Sequence, residues 1–227
     1  MVDYLSSIGK TIVSDLQKTI PRYPTRWPSL NKCIDGGIPK GRLIEIYGPP
    51  QIGKSALALQ ITDEPLLYID VDRKLCTDYL DGLPNAKNIT ICQKISGEAI
   101  FKLILEVAGD NIIIAIDSLP MLGAILDDKE RFNWLSKWFS KIQRAIIETS
   151  TTIIILNGIR QKPSTGEMYN PHAGTIDPAI RIKMHKAESR GKDKLVYLDI
   201  ESNYWAQQEE KTRCTLLVKK SCIVERK

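Results

Sequence analysis

A chain of 227 residues, 43% hydrophobic and 26% charged, is long enough to bury a substantial core and reads as one soluble globular unit. No apolar run approaches the ~20 residues needed to cross a bilayer, and the mixed, polar opening Met1–Lys10 lacks the basic-then-apolar pattern of a secretory signal. A formal charge of +5 permits a nucleic-acid partner without requiring one, and five scattered cysteines with no CxxC pair fit reduced thiols in a cytoplasmic compartment rather than structural zinc.

Taken in order, Leu5, Ile8, Ile12, Leu16 and Ile20 recur at helical spacing and predict an amphipathic helix over residues 4–20. Pro21, Pro24 and Pro28 stop it and form a stiff, extended connector. Residues 1–28 therefore read as a helix and proline-rich linker, either an arm that docks on a neighbouring subunit or a segment packed back on its own domain; residues 29–227 form the core. Asp35-Gly36-Gly37 makes a turn before the apolar strand Leu43–Tyr47. The helix that starts near Lys54 is cut short by Asp63-Glu64-Pro65. Leu66–Ile69 is a strand running into Asp70-Val71-Asp72, Leu75–Leu80 is helical, and Asn88–Cys92 is a third strand. A helix over Gly97–Ala108 precedes the apolar strand Asn111–Ile116, and a long helix over Lys129–Glu148 precedes the strand Thr152–Leu156. Strands this apolar, alternating with helices, predict an α/β fold whose mostly parallel sheet is buried on both faces. From Arg181 the pattern changes to strands at Arg181–His185, Lys194–Ile200 and Thr212–Lys219, with a polar hairpin around Tyr204–Lys211.

Between the first strand and its helix, Gly48-Pro49-Pro50-Gln51-Ile52-Gly53-Lys54-Ser55 fits G-x-x-x-x-G-K-[ST] in full. Glycines let backbone N–H groups close around phosphate oxygens; Lys54 would reach the β/γ-phosphates and the Ser55 hydroxyl would sit on Mg²⁺. The positive end of the helix dipole adds to the same anion site. The pattern, with strand before and helix after, predicts binding of a nucleoside triphosphate.

Open parallel sheets hold ligands at the carboxyl ends of their strands. Asp70/Asp72, Asp117 and Asn157 fall there. Asp117, after Ile112-Ile113-Ile114-Ala115-Ile116, reads as a Walker B carboxylate opposite Ser55. Asp72 is either the group that polarises the attacking water or a solvated, helix-capping aspartate. Asn157 is placed to sense the γ-phosphate through its amide and pass the signal into the next loop. That loop, Ile159–Gly174, is long, Gly- and Pro-rich and without periodicity. Its Arg160, Lys162 and Tyr169 suit single-stranded nucleic acid, through phosphate contact and base stacking; a plain surface loop is the alternative. His172 and His185 lie on different elements and do not suggest a metal pair. Trp134 and Trp138 read as core or subunit contact. Lys219-Lys220 is either a solvated strand edge or a cation reaching a neighbour's nucleotide site.

These residues resemble a known family. Ser29-Leu30 and Gly37-Ile38-Pro39-Lys40-Gly41-Arg42-Leu43-Ile44-Glu45-Ile46-Tyr47-Gly48-Pro49 resemble the approach to the phosphate loop of RecA-type recombinases. Tyr68-Ile69-Asp70-Val71-Asp72, Ser96-Gly97-Glu98, Ile116-Asp117-Ser118 and Leu156-Asn157-Gly158-Ile159-Arg160 continue the likeness in order, over about Ser29 to Lys220. The resemblance implies a RecA-like P-loop NTPase core with antiparallel strands at its C-terminal end. It implies ATP and Mg²⁺ as ligands, ATP carried between adjacent subunits, and self-association into a filament or ring on single-stranded DNA. It also implies Asp72 as the water-activating base, Tyr79 stacking on adenine, the loop after Asn157 touching DNA, and Lys219 or Lys220 completing a neighbour's site. Asp72 stands where the family usually has glutamate, Asn157 where it usually has glutamine, and a first DNA loop near Gly123–Arg131 is short. Such a trimmed core is similar to archaeal RadB-type paralogues and to small RecA-like recombination proteins of bacteriophages. The expected activity is a DNA-dependent ATPase of recombination and repair that promotes strand pairing or annealing. The alternatives are a weakly catalytic mediator that assists another recombinase or annealing protein, and a ring-forming helicase motor.

Overall fold

The computed structural model describes residues 20–93, 96–107, 112–122, 126–190, 193–203, 212–219 and 222–225. The helix expected over residues 4–20, the hairpin around Tyr204–Lys211, and Lys220 therefore fall largely or wholly outside the described residues.

The described part of the proline-bearing segment, from residue 20 on, packs against the domain. Strand β1 (Arg22–Tyr23) runs into helix α1 (Pro28–Cys33) and pairs antiparallel with β2 (Ile38–Pro39). Tyr23 and Trp27 are buried, and the Trp27 indole donates to the Ile223 carbonyl at 3.2 Å. The prolines do not hold this stretch off the body. Pro28 sits in the first turn of α1, where the missing N–H costs nothing and the fixed φ favours a helix.

β3 (Leu43–Tyr47) leads through the phosphate loop into α2 (Lys54–Leu59), then β4 (Leu66–Asp70), α3 (Thr77–Asp81) and β5 (Ile89–Cys92). α4 (Gly97–Glu106) starts on Ser96, whose hydroxyl accepts from the Ala99 N–H at 3.1 Å. β6 (Ile113–Asp117), α5 (Asp128–Thr149) and β7 (Thr152–Asn157) follow, with α5 capped by the Asp127 carboxylate on the Glu130 N–H. The loop after β7 is not featureless: β8 (Arg160–Gln161) and β9 (Met168–Tyr169) form a small antiparallel hairpin. β10 (Ile180–Arg190), β11 (Asp193–Asn203), β12 (Thr212–Val218) and β13 (Ile223–Glu225) complete the described chain.

One sheet of nine strands organises the molecule, in the order β13-β12-β11-β10-β3-β7-β6-β4-β5. From β10 to β5 every pairing is parallel; from β10 to β13 every pairing is antiparallel. The expected α/β architecture with an antiparallel C-terminal end is present. Strand periodicity sorts the core into two layers. Ile44, Ile46, Tyr68, Ala115, Ile154 and Leu156 pack under α1 and α2; Leu43, Ile69, Ile114, Ile116, Ile153 and Ile155 pack under α4 and α5. Trp134 and Trp138 stack at 6.1 Å, and the Trp138 indole donates to the Gly97 carbonyl, so they belong to the α4–α5 contact. Among the described residues, no helix is long and apolar enough to cross a membrane.

Candidate nucleotide site and adjoining loop

β3 and β6 deliver the two halves of the site to the same edge of the sheet. At Gly48 the chain leaves β3 with φ +157°, and a β-carbon there would stand 2.3 Å from the Met184 carbonyl oxygen on β10. At Gly53 φ is +108°, a conformation that L side chains rarely adopt. The loop between these glycines brings Lys54 back over itself. Its ammonium donates to the carbonyls of Gly48 at 2.9 Å and Pro49 at 2.8 Å, and burial pulls its pKa below the usual lysine range.

Ser55, one residue into α2, donates its hydroxyl proton to Asp117 Oδ2 at 2.5 Å. The Tyr68 hydroxyl donates to the same oxygen. Burial raises the Asp117 pKa, opposed by the bonds from Ser55 and Tyr68 and by the charge on Lys54, and reinforced by Asp72. A hydroxyl and a carboxylate, both hard oxygen donors, suit Mg²⁺, and a carboxylate desolvated beyond what its neutral donors offset gains from a cation. The residues fit the metal expected beside a phosphate loop.

Beyond the strand ends, the N–H groups of Val71 and Asp72 donate to the Asp117 carbonyl at 2.7 and 3.4 Å and hold the two acidic residues side by side. Asp72 accepts from the Ser118 hydroxyl at 3.1 Å and pairs with Lys74 at 2.5 Å. Asp70, grouped with Asp72 in the sequence, has a different part. It is buried and accepts from the N–H groups of Lys74 and Leu75 and from the Gln93 amide, which fixes the turn on which Asp72 sits.

Tyr79 is half-buried on α3, and its hydroxyl bonds Gln60, the residue that ends α2. Lys219 is exposed. It follows Val218, whose methyl groups would lie 3.2–3.3 Å from a β-carbon on Gly53, and Lys194 donates to the Gln51 carbonyl at 3.1 Å. The ends of β11 and β12 thus border this chain's own phosphate loop.

Asn157 does not stand as expected. Its side chain is fully buried and its amide is engaged internally: Nδ2 donates to Glu45 Oε1 and to Asn170 Oδ1, each at 2.9 Å, and Oδ1 accepts from the Gly158 N–H at 2.8 Å. Both amide protons are used, so the geometry leaves no donor for a γ-phosphate. The connection to the next loop is nonetheless direct, through Asn170.

In that loop Arg160 and Tyr169 face each other across the hairpin, both exposed. Lys162 pairs with Glu167 at 2.8 Å and lies 5.8 Å from the Tyr169 ring centroid. His172 is buried; burial lowers its pKa, the cationic charges of Arg160 and Arg131 lower it further, and the charge of Glu45 opposes them. Among the described residues no group of His, Cys, Asp and Glu forms a metal-binding cluster.

Sequence reading missed Tyr68, Lys74, Lys194 and Glu45. Glu45 carried a signal: a charged residue within the apolar run Leu43–Tyr47 requires a buried partner.

The chain from β1 to most of β10 lies within a match to the RecA N-terminal domain, over residues 8–188. The chain is 31% identical to the protein RecA of Thermosynechococcus vestitus over 173 residues, covering 68% of this chain and 48% of that protein. It is 31% identical to the protein RecA of Desulforapulum autotrophicum over 207 residues, covering 80% of this chain and 59% of the relative. With the protein RecA of Sulfurimonas denitrificans, identity is 32% over 165 residues, 65% of this chain and 48% of the relative. The chain spans about half the length of the curated relatives it matches. A match across most of the chain, together with an intact phosphate loop facing Asp117 on a parallel sheet, establishes that this chain belongs to the RecA family within the RecA/RadA superfamily.

Proposed function

We propose that the chain binds ATP with Mg²⁺ and hydrolyses it as an oligomer on single-stranded DNA, in a cytoplasmic role in recombination and repair that promotes strand pairing or annealing. The observation that carries this reading is the convergence of Lys54, Ser55, Asp117 and Asp72 at one sheet edge. Gly48 to Ser55 supply the backbone cradle and Lys54 the charge for the β- and γ-phosphates. Ser55 and Asp117 hold Mg²⁺, which supplies charge neutralisation on the phosphates. Asp72 orients a water in line with the γ-phosphorus and accepts its proton as the water oxygen bonds phosphorus and the β–γ bridging bond breaks, releasing ADP. Tyr79 packs on the adenine. Lys219, and with it Lys220, contributes to a nucleotide site shared between neighbouring subunits. Arg160 and Lys162 contact DNA phosphates and Tyr169 stacks on a base. Lys162 exchanges Glu167 for phosphate at small cost, because exposed ion pairs contribute little.

One contact favours a second reading. Lys74 donates to Asp72 Oδ2 and so occupies an oxygen that an attacking water would need, which fits a chain that binds ATP, turns it over slowly and assists another recombinase or an annealing protein. ATP hydrolysis with and without oligo-dT, in wild type, Asp72→Ala and Lys74→Ala, separates the two. The recombinase reading expects DNA-stimulated turnover that falls by about 10²-fold in Asp72→Ala. Negligible turnover in wild type that rises in Lys74→Ala supports the mediator reading. DNA-independent turnover unaffected by Asp72→Ala overturns both.

A further inference from the structure

The carboxylate of Glu45 is fully buried three residues before Gly48, in the strand that delivers the phosphate loop, and no step of the proposed hydrolysis uses it. It accepts three hydrogen bonds. Oε1 takes one proton from Asn157 at 2.9 Å and one from Asn170 at 2.8 Å; Oε2 takes one from Arg181 Nε at 2.6 Å. Asn157 ties two of these donors together by donating to Asn170 Oδ1, which also accepts from the His172 N–H at 3.0 Å. Arg181 then reaches onward, donating to the Ala173 and Ile176 carbonyls at 3.2 and 2.7 Å. These bonds run to the end of β7, to the start of β10 and to the segment between them. Asn157 holds its start, Asn170 and His172 its return, and Ala173 and Ile176 its exit.

We propose that Glu45 is the positioning residue of the Ile159–Gly174 loop, and that strand β3 sets the phosphate loop and this second loop as one rigid unit. The inference rests on the proposed reading for what the two loops bind, but not for the linkage itself. β3 is buried along its whole length and hydrogen-bonded to β7 and β10 on either side. A displacement of Gly48 on nucleotide binding is therefore carried to Glu45, and from Glu45 to Asn170, without a flexible joint between them. An apolar residue at position 45 would suit the sheet equally well. The charge matters because a buried carboxylate is stable only with its donors in place, so it selects one arrangement of the loop.

Hydrogen–deuterium exchange tests this without DNA, on full-length protein with and without saturating Mg²⁺–ADP. Asn170→Ala removes the loop's tie and leaves the Glu45–Arg181 pair, so the fold stays intact; Glu45→Gln is the second variant. In wild type, ADP changes exchange across Gly158–Gly174. In Asn170→Ala the same amides exchange about tenfold faster and no longer respond to ADP, while ADP affinity stays within about twofold. A wild-type loop that ignores ADP, or an Asn170→Ala loop that still responds, overturns the inference. If the exchange result holds but oligo-dT fails to bind wild type, the DNA-binding reading fails and the linkage stands.

Discussion

Asp117 and Glu45 are carboxylates on two parallel strands of one sheet, both withdrawn from water, yet they are provided for in different ways. Glu45 has a cation, Arg181, bonded to one oxygen and two amides on the other. Among the described residues the donors to Asp117 are neutral hydroxyls, Ser55 and Tyr68, while Lys54, a nearby cation, bonds loop carbonyls instead. Burial consequently pushes the Asp117 pKa up. One site has its counter-charge within the chain; the other is where the proposed Mg²⁺ would supply it. The contrast separates a carboxylate that builds the fold from one that awaits a ligand.

The strongest way to break the comparison is to neutralise each. Glu45→Gln strands Arg181 at a largely buried site and is expected to lower stability by about 3–5 kcal/mol, as for a buried pair that loses one partner. Glu45→Gln with Arg181→Met should recover much of that loss. Asp117→Asn removes a charge that has no paired cation among the described residues, so the ligand-free protein should be no less stable, while Mg²⁺-dependent ATP binding collapses. Urea unfolding and nucleotide titration with and without Mg²⁺ check both. Equal destabilisation by the two single variants would erase the distinction.

The same difference has a pH signature. Folding raises the Asp117 pKa above that of the unfolded chain, so the folded state binds this proton more tightly. The group's favourable contribution is fully present below the ordinary carboxylate value of about 4 and is lost as pH rises through the folded value. In wild type minus Asp117→Asn, the stability difference should decline over that window and then level off. Mg²⁺-dependent nucleotide affinity should move the opposite way, rising as Asp117 ionises. A difference curve flat across the window would show that burial is not what tunes this carboxylate.

The parts of this arrangement differed in how far sequence could reveal them. The parallel strands were legible because runs such as Ile113–Ile116 and Thr152–Leu156 are apolar over a strand's length. The phosphate loop was legible because its eight positions are contiguous. Asp117 followed from its place after an apolar strand. The packing of Arg22–Trp27 was hidden, since prolines signal local stiffness and say nothing about whether the stretch lies on a core. The orientation of Asn157 was hidden for another reason: the register of β7 on β3, Tyr47 opposite Asn157, turns that amide toward Glu45, and register is a property of two strands. Strands as short as Arg160–Gln161 and Met168–Tyr169 carry no readable period.

A third carboxylate extends the comparison to the surface, where the smallest effect is expected. Glu167 pairs with Lys162 at 2.8 Å on the surface, and that lysine holds its carboxyl below the usual range. Water supports both charges here as well as the pair does, so neither is obliged to stay. Glu167→Gln should leave the unfolding midpoint unchanged. It frees Lys162 to face phosphate and should raise oligo-dT affinity by about twofold at low salt, an advantage that fades as salt rises. A clear loss of stability would place Glu167 with Glu45, as a carboxylate the fold depends on. Unchanged DNA affinity at every salt concentration would remove Lys162 from the nucleic-acid surface and leave that role to Arg160 and Tyr169.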